Sequence, residues 1–113
     1  MFYADFWWCL YFLGVPPPKK DKKMEKQIEN YLRIEIKKIG GLALKFTSPS
    51  FSGVPDRIIL YKGKTIFVEV KDEGKKLRPR QEFVKKQFEK LGFEVLIIDS
   101  KEKIKKLIHD LQA

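Results

Sequence analysis

A chain of 113 residues with 43% hydrophobic and 35% charged side chains has room for one domain with a single modest core, and is neither a disordered tail nor a membrane protein. Its formal charge of +9 points to an anionic partner, most commonly nucleic acid, although basic residues carried for solubility are the plainer source of such a charge. Cys9 and His109 are the only residues of their kinds, which excludes an intrachain disulfide and a Cys/His zinc centre and fits a reducing cytoplasm.

Residues 1–15 are crowded with aromatics, stop at Pro16-Pro17-Pro18, and give way to a Lys/Asp run through Lys23. The apolar stretch is too short to span a bilayer, Asp5 interrupts it, and it lacks the basic start and cleavage site of a secretory signal. Trp7 and Trp8 followed by lysines would suit an interfacial anchor. Regular helical periodicity, however, begins at Met24, which favours a natural start there or an appendage outside the fold. Residues 1–23 are therefore set apart from a domain over 24–113, and no stable membrane association is expected.

From Glu25 to Ile39, apolar Ile28, Leu32, Ile36 and Ile39 recur at helical spacing, and Gly40-Gly41 ends the helix. Leu42, Leu44 and Phe46 alternate with Ala43, Lys45 and Thr47 as in a strand. A Ser/Pro/Gly loop runs from Ser48 to Pro55. Arg57–Tyr61 and Thr65–Lys71 are β-rich runs joined around Lys62-Gly63, so a hairpin. Pro79 lies close to a helix start, and Phe83, Val84, Phe88 and Leu91 mark one face before Gly92 closes it. Phe93 to Ile98 is an apolar run of strand length, as in a buried parallel strand. Ser100 can cap a last helix carrying Ile104, Leu107, Ile108 and Leu111. The order is α-β-β-β-α-β-α, an α/β fold whose mixed central sheet, apolar on both faces of the hairpin, is flanked by helices.

One constellation carries chemistry. Glu69 and Lys71 are two apart on a strand and share a face, while Val68 and Val70 point the other way. A two-residue loop at Lys62-Gly63 pairs Tyr61 with Lys64 and, counting outward, Asp56 with Glu69, at about 5.5 Å between paired backbones. Two carboxylates this close repel unless something positive sits between them, and a hard cation such as Mg²⁺ is the natural occupant. The spacing alone proves nothing, because an acidic residue two before a lysine occurs five times: Asp21–Lys23, Glu35–Lys37, Glu69–Lys71, Glu73–Lys75 and Asp99–Lys101. Only Glu69–Lys71 lies inside an otherwise apolar strand, where charge is costly without a purpose. Arg57, Lys75, Lys76, Arg78 and Arg80 lie beside or just after this site and could hold flanking phosphates; solvated linker charge is the alternative.

Gly53-Val54-Pro55-Asp56-Arg57, followed by Phe67-Val68-Glu69-Val70-Lys71 and then Gln81 opening a helix, resembles the VRR-NUC (virus-type replication-repair nuclease) domain of the PD-(D/E)XK nuclease superfamily. The resemblance covers about residues 24–111. It implies a restriction-endonuclease-like core and a divalent-metal-dependent nuclease using Mg²⁺ or Mn²⁺, often homodimeric and associated with phages or mobile elements. On that resemblance Asp56 and Glu69 hold the metal with the Val70 carbonyl, and Lys71 orients or activates the attacking water. Glu25 reaches the site from the first helix, with Glu29 one turn on as a competing candidate. Gln81 braces the site from the second helix, and Lys45 fits a further family position on the first strand.

General chemistry then supplies in-line phosphodiester hydrolysis, with the cation offsetting phosphate charge. No element reads as an obvious major-groove helix, so the expected substrate is branched or flapped DNA cut by shape rather than by sequence. A nucleic-acid-binding module that keeps the fold without cutting is the alternative. A homodimer is expected because a core of this size is marginal alone and a two-fold dimer matches paired strands. The expected setting is the cytoplasm of a bacterial host.

Overall fold

The computed structural model describes residues 20–113, with side chains described from Met24 onward, so the expectations for residues 1–19 lie outside the described residues. Three helices and four strands follow the order read from the sequence: α1 Lys20–Lys38, β1 Leu42–Lys45, β2 Arg57–Tyr61, β3 Lys64–Val70, α2 Pro79–Lys90, β4 Glu94–Ile98 and α3 Lys101–Gln112. The backbone of α1 begins at Lys20, ahead of the apolar periodicity that starts near Met24. A run of straight-chain lysines can extend a helix without adding to its buried stripe. Among the described residues, no helix is long and apolar enough to cross a membrane.

The four strands form one mixed sheet in spatial order β1-β2-β3-β4. β1 and β2 are antiparallel, as are β2 and β3, whereas β3 and β4 run parallel. The β2–β3 turn has positive φ at both central residues, 43° at Lys62 and 79° at Gly63. That is the backbone of a two-residue turn whose twist matches the strands, and it fixes the register Tyr61↔Lys64 through Arg57↔Val68.

The sheet is covered on both faces. Ile28, Leu32 and Ile36 of α1 and Ile104, Leu107 and Leu111 of α3 pack with Ala43, Ile59, Ile66, Val68, Val70 and Ile98. The glycine pair after α1 lets the chain turn closely onto the sheet: a Cβ on Gly41 would lie 2.9 Å from Ile36 Cγ2 and 3.0 Å from the Leu60 carbonyl oxygen. α2 covers the opposite face over an aromatic cluster in which Phe67 meets Phe88 at 4.8 Å and Phe93 at 5.7 Å between centroids.

Three patterns differ from the expectation. In β1 it is the small Ala43 that is buried, while Leu42 and Leu44 are exposed, because α1 presses on one face and α2 does not extend over the other. On α2 only Val84 is fully buried and Phe88 half-buried; Phe83 and Leu91 face solvent. β4 is parallel as expected but lies at the sheet edge, so Leu96 and Ile97 are half-buried rather than enclosed.

Candidate active site

Asp56 stands where the Ser/Pro/Gly loop enters β2. Its carbonyl accepts from the Phe46 amide at 2.9 Å, extending the β1–β2 ladder by one step, and its Oδ2 accepts from the Val70 amide at 2.9 Å. The hairpin register carries Asp56 opposite Glu69, and the two carboxyl groups are in hydrogen-bonding contact. Glu69 is only 4% exposed and Lys71 7%. Burial, then the charge and hydrogen bond of Asp56, push the Glu69 carboxyl up to about 8, against the opposing pull of Lys71. A carboxyl that holds its proton at neutral pH because it is buried and a second carboxyl touches it sits in a site deficient in positive charge.

Helix α2 steadies Glu69 through one side chain. Gln81 donates from Nε2 to Glu69 Oε1 at 3.1 Å and accepts at Oε1 from the Arg78 amide at 2.9 Å, the backbone end of α2. The two bonds together fix which way the amide points, so Gln81 caps its own helix and braces the site at once.

The two glutamates of helix α1 have different surroundings. Glu29 is taken by Arg57, whose Nε lies 2.6 Å from Glu29 Oε1 and whose Nη1 donates to the Ala43 carbonyl at 3.1 Å. Glu25, one turn earlier, is held above the usual carboxylate range by burial first, then by Asp72 and Asp56, while Lys71 and the Asp72 amide oppose the rise. Among the described residues no three His, Cys, Asp or Glu side chains converge tightly enough to enclose an ion by themselves. The donor chemistry nevertheless fits a hard divalent cation: the buried Glu69 carboxyl in contact with the half-buried Asp56 carboxyl, and a third acid within electrostatic reach.

No family model matches the sequence. The chain is 46% identical over 79 residues to "Putative nuclease p44" of Acyrthosiphon pisum secondary endosymbiont phage 1, covering 69% of this chain and 85% of that protein. A solved VRR-NUC domain superposes with a TM-score of 0.71 at 34% identity, over 76% of this chain and 95% of the other. This chain belongs to the VRR-NUC nuclease family.

Within this VRR-NUC fold the basic residues singled out from the sequence fall into three places. Arg57 is engaged by Glu29 and is 15% exposed. With Lys45, Glu25, Lys26, Glu29 and Asn30 it lines an open cleft of about 570 Å³ between α1 and the β1–β2 edge. Lys75 approaches Asp72 at 3.9 Å. Lys76, Arg78 and Arg80 are exposed along the approach to α2, Arg80 donating to the Ser52 carbonyl at 3.1 Å.

Asp72, which the sequence does not single out, is 7% exposed and acts on Glu25. Its position directly after the Glu69-Val70-Lys71 triplet was the available signal. The Val70 side chain is buried in the core, so only its backbone faces the carboxylates.

Proposed function

We propose that this protein is a divalent-metal-dependent DNA endonuclease that hydrolyses phosphodiester bonds in branched or flapped DNA. The observation that carries the reading is the contact of Asp56 with the buried Glu69 beside the buried Lys71. No packing requirement explains two touching carboxyl groups at the end of an apolar strand, whereas metal-assisted phosphate hydrolysis uses such a pair to hold its cation. Asp56 and Glu69 would hold Mg²⁺ or Mn²⁺ with the Val70 carbonyl, and Glu25 would act on it from the α1 side. When bound, the cation supplies Lewis-acid polarisation of the phosphate and of water.

The chain's own residues do the rest. Lys71 is held among acids in a nearly dry site, where its ammonium positions the attacking water and offsets charge building on the phosphate. Gln81 keeps the Glu69 carboxylate aimed, so that each turnover begins from a preformed geometry. Lys45, Lys75, Lys76, Arg78 and Arg80 hold flanking phosphates, with Arg57 stiffening the β2 end of the cleft. The exposed Leu42, Leu44 and Leu60 share one sheet face beside the edge strand, Leu42 directly opposite Leu60. They provide an uncharged patch through which two copies pair about a two-fold axis. An enzyme of this kind works where DNA is accessible, in the cytoplasm of a bacterial host.

The test is a panel of labelled linear duplex, flap and four-way junction DNAs incubated with Mg²⁺, Mn²⁺ or EDTA. Cutting of the branched forms only with metal supports the reading. Tight binding with no cutting under any metal would establish a binding module instead.

A further inference from the structure

We propose that Phe51, Arg80 and Phe83 form a stacking platform for an unpaired nucleobase next to the scissile phosphate, so that the site selects DNA in which a nucleotide is splayed out beside the cut. This rests on the reading of the chain as a DNA nuclease. The Arg80 guanidinium carbon lies 4.8 Å from the centroid of Phe51 and 5.3 Å from that of Phe83, within the range of cation–π attraction. Its Nε also donates to the Ser52 carbonyl at 3.1 Å. The guanidinium is thus held in place before any ligand arrives, and the ordering cost of a long side chain is already met.

Both rings remain in water. Phe51 is 37% exposed and Phe83 49%, although Val84, the next residue on α2, is fully buried and the aromatic cluster of Phe46, Phe67, Phe88 and Phe93 lies on the same side of the sheet. Leaving aromatic surface exposed forgoes roughly 25 cal/mol per Å² of burial. A cationic centre flanked by two exposed rings matches a base attached to a polyanion: the rings offer faces for stacking and the guanidinium adds charge for the phosphate.

The platform sits where such a base would be. Gly53 approaches Arg80 so closely that a Cβ would lie 2.8 Å from Arg80 Cγ and 3.1 Å from its carbonyl oxygen. The same loop delivers Asp56, and the residue after Arg80 is Gln81, which bonds to Glu69. The platform therefore flanks the carboxylates from the α2 side, while Glu25 approaches from α1 on the opposite face. In a continuous duplex each base face is already covered by its neighbours, so only a nucleotide freed at a branch or flap has a face to offer. A simpler role, a clasp that merely fixes the loop, predicts a different response to substitution.

The test compares cleavage by the full chain, with Mg²⁺, of two flapped DNAs differing only in whether the unpaired nucleotide at the branch carries a base or is abasic. The platform predicts that kcat/KM favours the base-bearing DNA by about 5- to 100-fold. Phe51→Leu and Phe83→Leu, which keep apolar bulk but lose the π face, should each draw that ratio toward one, and Phe83→Trp should preserve it. Equal cutting of both DNAs by the unaltered protein would overturn the platform and leave the nuclease reading standing. So would leucine variants that slow both substrates alike with the ratio intact, the result of a clasp. Failure to cut any DNA would overturn the nuclease reading and the platform with it.

Discussion

Asp56 and Glu69 touch across the hairpin, and that contact has a consequence for pH that needs no substrate. The folded-state pKa of Glu69 is raised above its ordinary value of 4.5 to about 8, so without metal its contribution to stability is fully present below about pH 4.5 and is lost as pH rises through about 8. In EDTA, the thermal stability of the protein should therefore fall relative to Glu69→Gln between pH 5 and 9. A difference between the two proteins that does not change with pH would mean that burial and Asp56 do not hold the Glu69 carboxyl above its ordinary range in the folded state. The pairing of Asp56 with Glu69 was legible in the sequence because a two-residue turn leaves one register and strand parity does the rest. Asp72 and the Arg57–Glu29 ion pair were not, since each joins segments far apart in the chain or sits where polarity reads as linker.

At the scale of an element, the Ser48–Pro55 loop is more than a connection. Gly53 has φ of 85°, a conformation that costs other residues, and its Cα faces Arg80 and Val84 at distances that leave no room for a methyl group. Gly53→Ala should destabilise the fold by about 1–3 kcal/mol and move the loop that delivers Asp56. Cleavage rate should fall by more than the loss of folded protein accounts for, as measured by activity and thermal melting on the same samples. A rate that simply tracks the folded fraction would show that the loop does not position Asp56. Element types and their order could be read from periodicity, glycines and caps; Ser100 caps α3, accepting from the Lys103 amide at 3.4 Å. Which face of β1 is buried could not. Leucines at Leu42 and Leu44 outweigh Ala43 in any hydrophobic pattern, and only the close approach of α1 reverses the choice.

For the whole molecule, the proposed two-fold pairing would run through the exposed Leu42, Leu44 and Leu60. A Leu44→Glu substitution introduces like charges across a two-fold contact and should convert a dimer to a monomer in sedimentation at micromolar concentration. An unaltered dimer would place the interface elsewhere. Family membership and fold were within reach of the sequence because Gly53–Arg57, Phe67–Lys71 and Gln81 lie on one hairpin and one helix start, where local geometry is enough to bring them together. The platform at Phe51, Arg80 and Phe83 was not, because it forms only when the loop folds back onto α2. Whether Asp56, Glu69 and Lys71 form a metal-dependent hydrolytic site is answered by cleavage of a branched DNA in Mg²⁺ by the unaltered protein beside Glu69→Ala and Lys71→Ala. The unaltered protein should cut and EDTA should abolish that cutting, while neither folded variant cuts; full activity in either variant, or cutting that survives excess EDTA, would mean that these residues do not form such a site.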